Sequence, residues 1–506
     1  MPLIRAFARA GRPGLRRLGA MALLGAGVAA GQAPFGLWWL SLPALVVLTG
    51  AVAAEERRAE RLWLAWAAGT GYFALSLFWI VEPFLVEPEI HGWMAPFALF
   101  FMCTGMALFW GLAGWVAGIG RSRAGRAAGF ALGLALGDLL RGYVLTGFPW
   151  ALLGHVWIDT PVAQAAALIG PVGLSLMTTL AAALPALGRD RAGQVRASAV
   201  ALAALGLVWV AGDARLSAES PAPERPVRVR LVQPNAEQSL KWQGEMWRVF
   251  LERQMTQTAE PAEAPLDLII WPETAVPYLL EDSSALFRQM AAASGGVPIV
   301  TGIQRAEGSR YFNSLVALDG AGEVVALHDK AHLVPFGEYI PFGDLLVPFG
   351  IRAFAAQEGF GYTPGGGLRT LDLGRAGHVL PLICYEAIFP QDLNRAKGRA
   401  DWILQITNDG WFGDVSGPYQ HLAQTRLRAI EQGLPVVRVA NTGVSGVIDA
   451  AGRVVATIPL NSVGTLDILV PPARPRPPYA RTGDGPIAIL ILAGLLLPVA
   501  RRRFGR

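Results

Sequence analysis

Residues 378–386 read HVLPLICYE: an apolar run over 378–383 that ends on a thiol, Cys384, followed two residues later by a carboxylate, Glu386. Six residues are too few for an independent helix and the right length for a strand, so the stretch predicts a buried strand whose carboxyl end delivers a nucleophile. The same grammar recurs on both sides of it. Strand-like runs fall at 227–232, 266–271, 297–303, 314–318, 323–328, 402–407 and 436–440, and helical patterns at 245–257, 284–294 and 419–432 separate several of them. That alternation predicts a layered α/β domain between about Arg225 and Pro471.

Two further titratable groups follow strand-like runs in the same way: Glu273 after Trp271-Pro272, and Lys330 after His328-Asp329. Side chains just beyond strand carboxyl ends project into a shared crevice, so residues distant in sequence are expected to converge there. The three make a coherent set. A thiol must lose its proton to become a strong nucleophile, a carboxylate can take it, and an ammonium stabilises the oxyanion that forms when a carbonyl is attacked. Taken singly, Glu273 reads as a helix cap, Lys330 as a solvated turn lysine and Cys384 as a core cysteine; only their joint context outweighs those readings.

The rest of the chain has a different character. Of 506 residues, 53% are hydrophobic and 16% charged, a balance too apolar for a wholly water-exposed protein. Apolar runs near 18–31, 37–53, 62–81, 96–119, 127–140, 162–187, 199–211 and 486–500 predict about eight transmembrane helices. Arginines mark every second connection: Arg12, Arg16 and Arg17; Arg57, Arg58 and Arg61; Arg121, Arg123 and Arg126; Arg189, Arg191 and Arg196; Arg501 to Arg503 with Arg506. The positive-inside rule then places both termini in the cytoplasm and the α/β domain, which follows about seven spans, on the opposite side. Because the arginines sit in clusters between apolar runs, the formal charge of +5 points to membrane topology and away from nucleic acid. Prolines 471, 472, 475, 477 and 478 form a linker to the last span. The predicted division is 1–212 for the first spans, 225–470 for the catalytic domain, and 471–506 for the linker and last span.

The motifs around the three groups are Trp271-Pro272-Glu273, Lys330 followed by Pro335-Phe336-Gly337-Glu338, and Cys384-Tyr385-Glu386. Together they resemble the carbon-nitrogen hydrolase, or nitrilase, superfamily. With the membrane spans, and with Val232-Gln233-Pro234-Asn235, Lys241-Trp242 and Asn408-Asp409-Gly410-Trp411-Phe412-Gly413, the whole chain is similar to the apolipoprotein N-acyltransferases of the bacterial envelope. The resemblance implies an α/β nitrilase-like αββα sandwich joined to the multi-span helical domain. It implies Glu273 as base, Lys330 as oxyanion stabiliser and Cys384 as nucleophile, with Glu338, Glu386 and Tyr385 in support. It implies a phospholipid acyl donor, diacylated apolipoproteins as acceptors, an inner-membrane location with a periplasmic catalytic domain, and no cofactor. Trp242, Asn235, Trp411 and Phe349 are the expected substrate contacts, the last on a loop at 341–361 whose apolar residues are expected to dip toward lipid. His328 and His332 have a spacing that suits a metal only on a helix, and they fall at a strand end, so no metal is expected. The rival readings are a membrane-anchored amidase that passes its acyl group to water, and an inactive transporter or scaffold.

Overall fold

The computed structural model describes residues 13–219, 221, 225–241, 243–341 and 361–504. The chain forms two compact units: Met1–Ala218 with Val415–Ala423 and Pro477–Arg506, and Glu219–Asp414 with Gln424–Arg476.

The first unit is helical. Its principal helices are α1 (Leu15–Ala29), α2 (Trp38–Ala54), α3 (Arg58–Ser76), α4 (Ala95–Val116), α5 (Arg123–Tyr143), α6 (Ala166–Ala183) and α7 (Arg191–Ser217), with a C-terminal helix over Gly485–Phe504. A helix therefore lies at each of the eight apolar runs. Three helical segments among the described residues, Pro88–Ile119, Pro161–Leu187 and Arg191–Ser217, are long and apolar enough to cross a membrane. A fourth is added if α3 and the 3₁₀ segment Phe78–Leu85, bent by 47°, count as one span; Trp38–Ala54 and Gly485–Pro498 are apolar but shorter. Two of these helices present apolar outer faces, with Val195, Val200, Leu202, Leu207 and Val210 exposed on α7 and Ile489, Leu490, Leu492, Leu496 and Leu497 on the C-terminal helix. Water would penalise such surfaces and hydrocarbon would not.

Small residues let the helices approach. α3 packs along both α1 and α4. A Cβ on Gly25 would overlap the Ala68 carbonyl oxygen, and one on Gly71 would overlap that of Ala22, so α1 and α3 meet backbone to backbone. Charges inside this unit are paired. Arg141 donates to Asp138 at 2.7 Å and to the Trp150 carbonyl at 2.8 Å, while Asp138 also accepts from Leu153 N at 2.9 Å. Arg61 is buried, giving its guanidinium to the carbonyls of Glu55, Glu56 and Gly114, and so is not a freely solvated charge of its cluster.

The second unit is a sandwich of two six-stranded sheets. The first runs β12-β1-β2-β3-β4-β5 and the second β11-β10-β9-β8-β7-β6. The strands are β1 Arg228–Gln233, β2 Leu268–Ile270, β3 Ile299–Glu307, β4 Arg310–Leu318, β5 Val324–Asp329, β6 Leu371–Asp372, β7 His378–Ile383, β8 Trp402–Thr407, β9 Val436–Ala440, β10 Ser445–Ile448, β11 Val454–Ile458 and β12 Gly464–Leu469. Parallel triplets β1-β2-β3 and β7-β8-β9 form the two centres; β2, β7 and β8 read as mainly apolar, as buried parallel strands do, whereas β1 carries Arg228, Arg230 and Gln233. Helices α8 (Met246–Ala259) and α9 (Ser284–Ala293) cover the first sheet, and Leu251, Met255, Leu286, Phe287 and Met290 pack on Ile269, Trp271, Ile299 and Val316. On the second sheet, Arg428 and Thr425 of helix α10 (Gly417–Gln432) bond to Ile388 O and to Gln405. The sheets meet at Gln233, whose side chain accepts from Ser445 N at 3.2 Å. Eight strands and three helices match the sequence expectation to within a few residues; β6 and β10 to β12 have no counterpart in it.

Candidate active site

Four loops leave the sandwich at strand carboxyl ends and carry the candidate residues: Glu273 follows β2, Lys330 follows β5, Cys384 follows β7 and Asn408 follows β8. From the first sheet, the Lys330 ammonium lies between two carboxylates, 3.2 Å from Glu273 Oε1 and 2.9 Å from Glu338 Oε1. Asn313 on β4 bridges the same two atoms, donating from Nδ2 at 2.8 and 3.0 Å. From the second sheet, Asn408 N donates to Glu273 Oε2 at 2.8 Å. Glu338 Oε2 accepts from Val334 N at 2.8 Å. Both carboxylates are thus surrounded by donors, the condition for keeping charge in a buried place.

Glu386 ties the two sheets together. Its Oε2 accepts from Ile383 N at 2.7 Å, immediately before Cys384, and its Oε1 accepts from Ala331 N at 2.7 Å, immediately after Lys330. His328 Nε2 lies 3.1 Å from the same Oε2. Tyr385 packs edge-on against Phe389, and Phe389 stacks on His332, whose Nδ1 is 2.9 Å from Asp392.

Backbone strain gathers at these loops. Cys384 has φ +50°, Thr274 +47°, Phe336 +63° and Asn235 +49°, a region that side chains with a Cβ rarely adopt. Each such residue costs on the order of 1 kcal/mol or more, so the surrounding hydrogen bonds must hold it. For Cys384, the holding contacts include Gln405 Nε2 to its carbonyl oxygen at 3.3 Å and Glu386 to the preceding amide.

The electrostatics set the resting protonation. Burial pushes the Cys384 thiol well above its ordinary value and the Glu273 charge pushes it further, outweighing Lys330 and the Thr407 hydroxyl, which act the other way. Lys330 is buried, which favours the neutral amine, but Glu273, Glu338 and Cys384 together raise it well above the lysine range. The resting pair is therefore thiol and ammonium. Lys330 favours the thiolate, as its charge implies, without being strong enough to create one. Lys241 Nζ donates to Thr274 Oγ1 at 2.9 Å, and burial lowers its ammonium to about 8 against the opposing pull of Glu273.

The structure brings Glu273, Lys330 and Glu338 into one hydrogen-bonded cluster, couples Cys384 to Glu273 and Lys330 electrostatically, and places Glu386 astride the Lys330 and Cys384 loops. Asn235 is committed elsewhere, donating to the Asn461 carbonyl at 3.0 Å. Trp411 sits half-buried in the turn Asp409–Trp411 after Asn408. Trp242, Phe349 and residues 342–360 lie outside the described residues. Sequence reasoning missed Asn313, which sits inside β4 with no motif around it.

Residues 228–476 match the carbon-nitrogen hydrolase family, and residues 24–184 match the N-terminal domain of apolipoprotein N-acyltransferases. The apolipoprotein N-acyltransferase of Brucella melitensis is 37% identical over 523 residues, covering 97% of each chain. That of Rhodopseudomonas palustris is 37% identical, covering 93% of this chain and 92% of its own, and that of Caulobacter vibrioides is 38% identical, covering 96% and 95%. With that likeness running through both the helical part and the sandwich, the chain belongs to the apolipoprotein N-acyltransferase family.

Proposed function

We propose that this enzyme moves an acyl chain from a phospholipid, through a thioester on Cys384, to the α-amine of a diacylglyceryl-cysteine at a lipoprotein's N-terminus. The lipoprotein N-acylation itself is the activity its relatives are named for. The observation that carries the mechanism is the Lys330 ammonium held between Glu273 and Glu338, with Cys384 in its field.

Glu273 takes the thiol proton as sulfur attacks the ester carbonyl, because the thiol is protonated at rest. Lys330 faces the oxyanion, a stabilisation of several kcal/mol where water is excluded. The tetrahedral adduct collapses by expelling the lysophospholipid alkoxide, which recovers the proton from Glu273. The acceptor amine then attacks the thioester, gives its proton to Glu273, and the Cys384 sulfur leaves and is reprotonated. Ping-pong kinetics follow, with lysophospholipid released before the acceptor binds.

Lipid substrates explain the helical unit. We read it as about eight spans of an inner-membrane protein, with both termini cytoplasmic and the sandwich periplasmic; the eight helices and the arginine alternation support that reading. The corresponding division is 1–212, 225–470 and 471–506. Incubating purified protein with phospholipid and a diacylated lipopeptide tests the function: the peptide must gain one acyl chain. With phospholipid alone, the protein must gain an acyl mass that hydroxylamine removes and Cys384→Ala lacks. Release of free fatty acid with no gain by the peptide would make the enzyme a hydrolase.

A further inference from the structure

His328 is the penultimate residue of β5, and Lys330 follows that strand directly. Its side chain is 2% exposed and that of Glu386 is 1% exposed, with His328 Nε2 3.1 Å from Glu386 Oε2. Burial pushes the Glu386 carboxyl toward the neutral acid, yet the facing His328 ring and its hydrogen bond, with the amides of Ile383 and Ala331, outweigh it and hold the group below the usual carboxylate range. An ionised carboxylate has only acceptors, so the ring nitrogen facing it is the donor.

A buried pair of this kind is weak evidence for a stabilising role, since well-packed apolar residues often replace one at little cost. What sets this pair apart is where the rest of the carboxylate goes. It holds the amide before the nucleophile and the amide after the lysine. Cys384 is itself in a left-handed backbone conformation that relaxes unless held. A protonated Glu386 would present an O–H to a site built of N–H donors, and one of the two clamps would open.

We propose that His328 is a positioning residue for acyl transfer: by donating to Glu386 it keeps that carboxylate clamped on Ile383 N and Ala331 N, and so fixes the Cys384 sulfur against Lys330. The inference rests on Cys384 being the acylated nucleophile.

The test is single-turnover acylation of the purified full chain by phospholipid in detergent, followed by intact mass and normalised to the protein that reacts. His328→Phe keeps a flat ring and removes the donor. His328→Gln puts an amide N–H where Nε2 stands. A displacement of about 1 Å at a reacting atom costs up to ~100-fold, so His328→Phe is expected to acylate about 30- to 100-fold more slowly, with the half-saturating phospholipid concentration unchanged. His328→Gln is expected within about fivefold of wild type, since a neutral donor to a carboxylate recovers most of the contact. A Phe variant as fast as wild type overturns the proposal. So does a Gln variant slowed more than about 30-fold, whether or not the Phe variant folds. Failure of the wild type to form a thioester is a separate outcome: it removes the acyl-enzyme reading and this inference with it.

Discussion

Replacing Glu273 by Gln is expected to move two measurements in opposite directions. All three side-chain and backbone groups that bond Glu273 are donors: Lys330 Nζ and Asn313 Nδ2 on Oε1, and Asn408 N on Oε2. A glutamine offers one acceptor oxygen and one NH₂, so either orientation sets N–H against N–H, at a cost of about 1–3 kcal/mol for the donor left without an acceptor. Lys330 keeps Glu338, so the ammonium survives. The thiol loses the negative charge that helps to hold it protonated, and its pKa falls. Acylation nevertheless slows, by about 10²- to 10⁴-fold, because the group that receives the thiol proton is gone. Iodoacetamide labelling of Cys384 against pH reads the first quantity: in wild type the rate keeps climbing past pH 9, and in Glu273→Gln the rise begins at lower pH. Intact mass after exposure to phospholipid reads the second. General damage to the site would slow both. Acylation within tenfold of wild type, or a labelling curve displaced to higher pH, would refute the assignment of Glu273 as the base beside Cys384.

Asn313→Leu removes the bridge between Glu273 and Glu338; thermal unfolding in detergent is expected to show a loss of about 2–4 kcal/mol, two charge-assisted donors being removed from buried carboxylates. An unchanged transition would mean that water or Lys330 takes over. Gly71→Leu forces α1 and α3 apart and is expected to lower the unfolding temperature, whereas the same change at Gly206, where an added Cβ meets nothing within 4 Å, should leave it alone. A cysteine at Arg481 should react with an impermeant maleimide in cells whose outer membrane alone is opened; labelling only after the inner membrane is lysed would reverse the topology.

Most of the strands that were legible are buried along most of their length, although β5, legible too, leaves Val324 and Val325 exposed. β7, β8 and β9 appear at the expected residues because apolar residues dominate them, with Gln405 inside β8 and Arg438 inside β9 as interruptions. β11 and β12 were missed: Val454, Val455 and Leu469 are exposed, and Thr465 and Asp467 break up the apolar residues of β12. The eight apolar runs likewise foretold eight helices, while length and apolarity single out three to four as spans. α2 and the C-terminal helix fall outside that set because they are short, as α1 is at 15 residues, and α5 because Arg123, Arg126, Asp138 and Arg141 raise its polarity.

At the site, residue types marked the candidate reacting groups, and the structure adds the residues that bond around them. Glu273, Lys330 and Cys384 are uncommon residues after apolar strands, which a reader of the chain can mark. Asn313 and His328 sit inside β4 and β5, where a polar residue in an alternating strand ordinarily faces water, so nothing in the text separates them from surface residues. Strain is hidden in the same way. A left-handed residue is expected where glycine stands, yet Cys384, Thr274 and Phe336 all have a Cβ and adopt that conformation beside the catalytic loops. Glycine at Cys384 would remove the chemistry and glycine at Thr274 would remove the hydroxyl that Lys241 holds. The cost must then be met by the surrounding contacts, and those seen are Gln405 of β8 on the Cys384 carbonyl, Glu386 on the amide before Cys384, and Lys241 on Thr274. Gln405 and Lys241 lie far in sequence from Cys384 and Thr274, so no motif joins them, whereas Glu386 stands inside the Cys384-Tyr385-Glu386 stretch and could be marked from the chain alone.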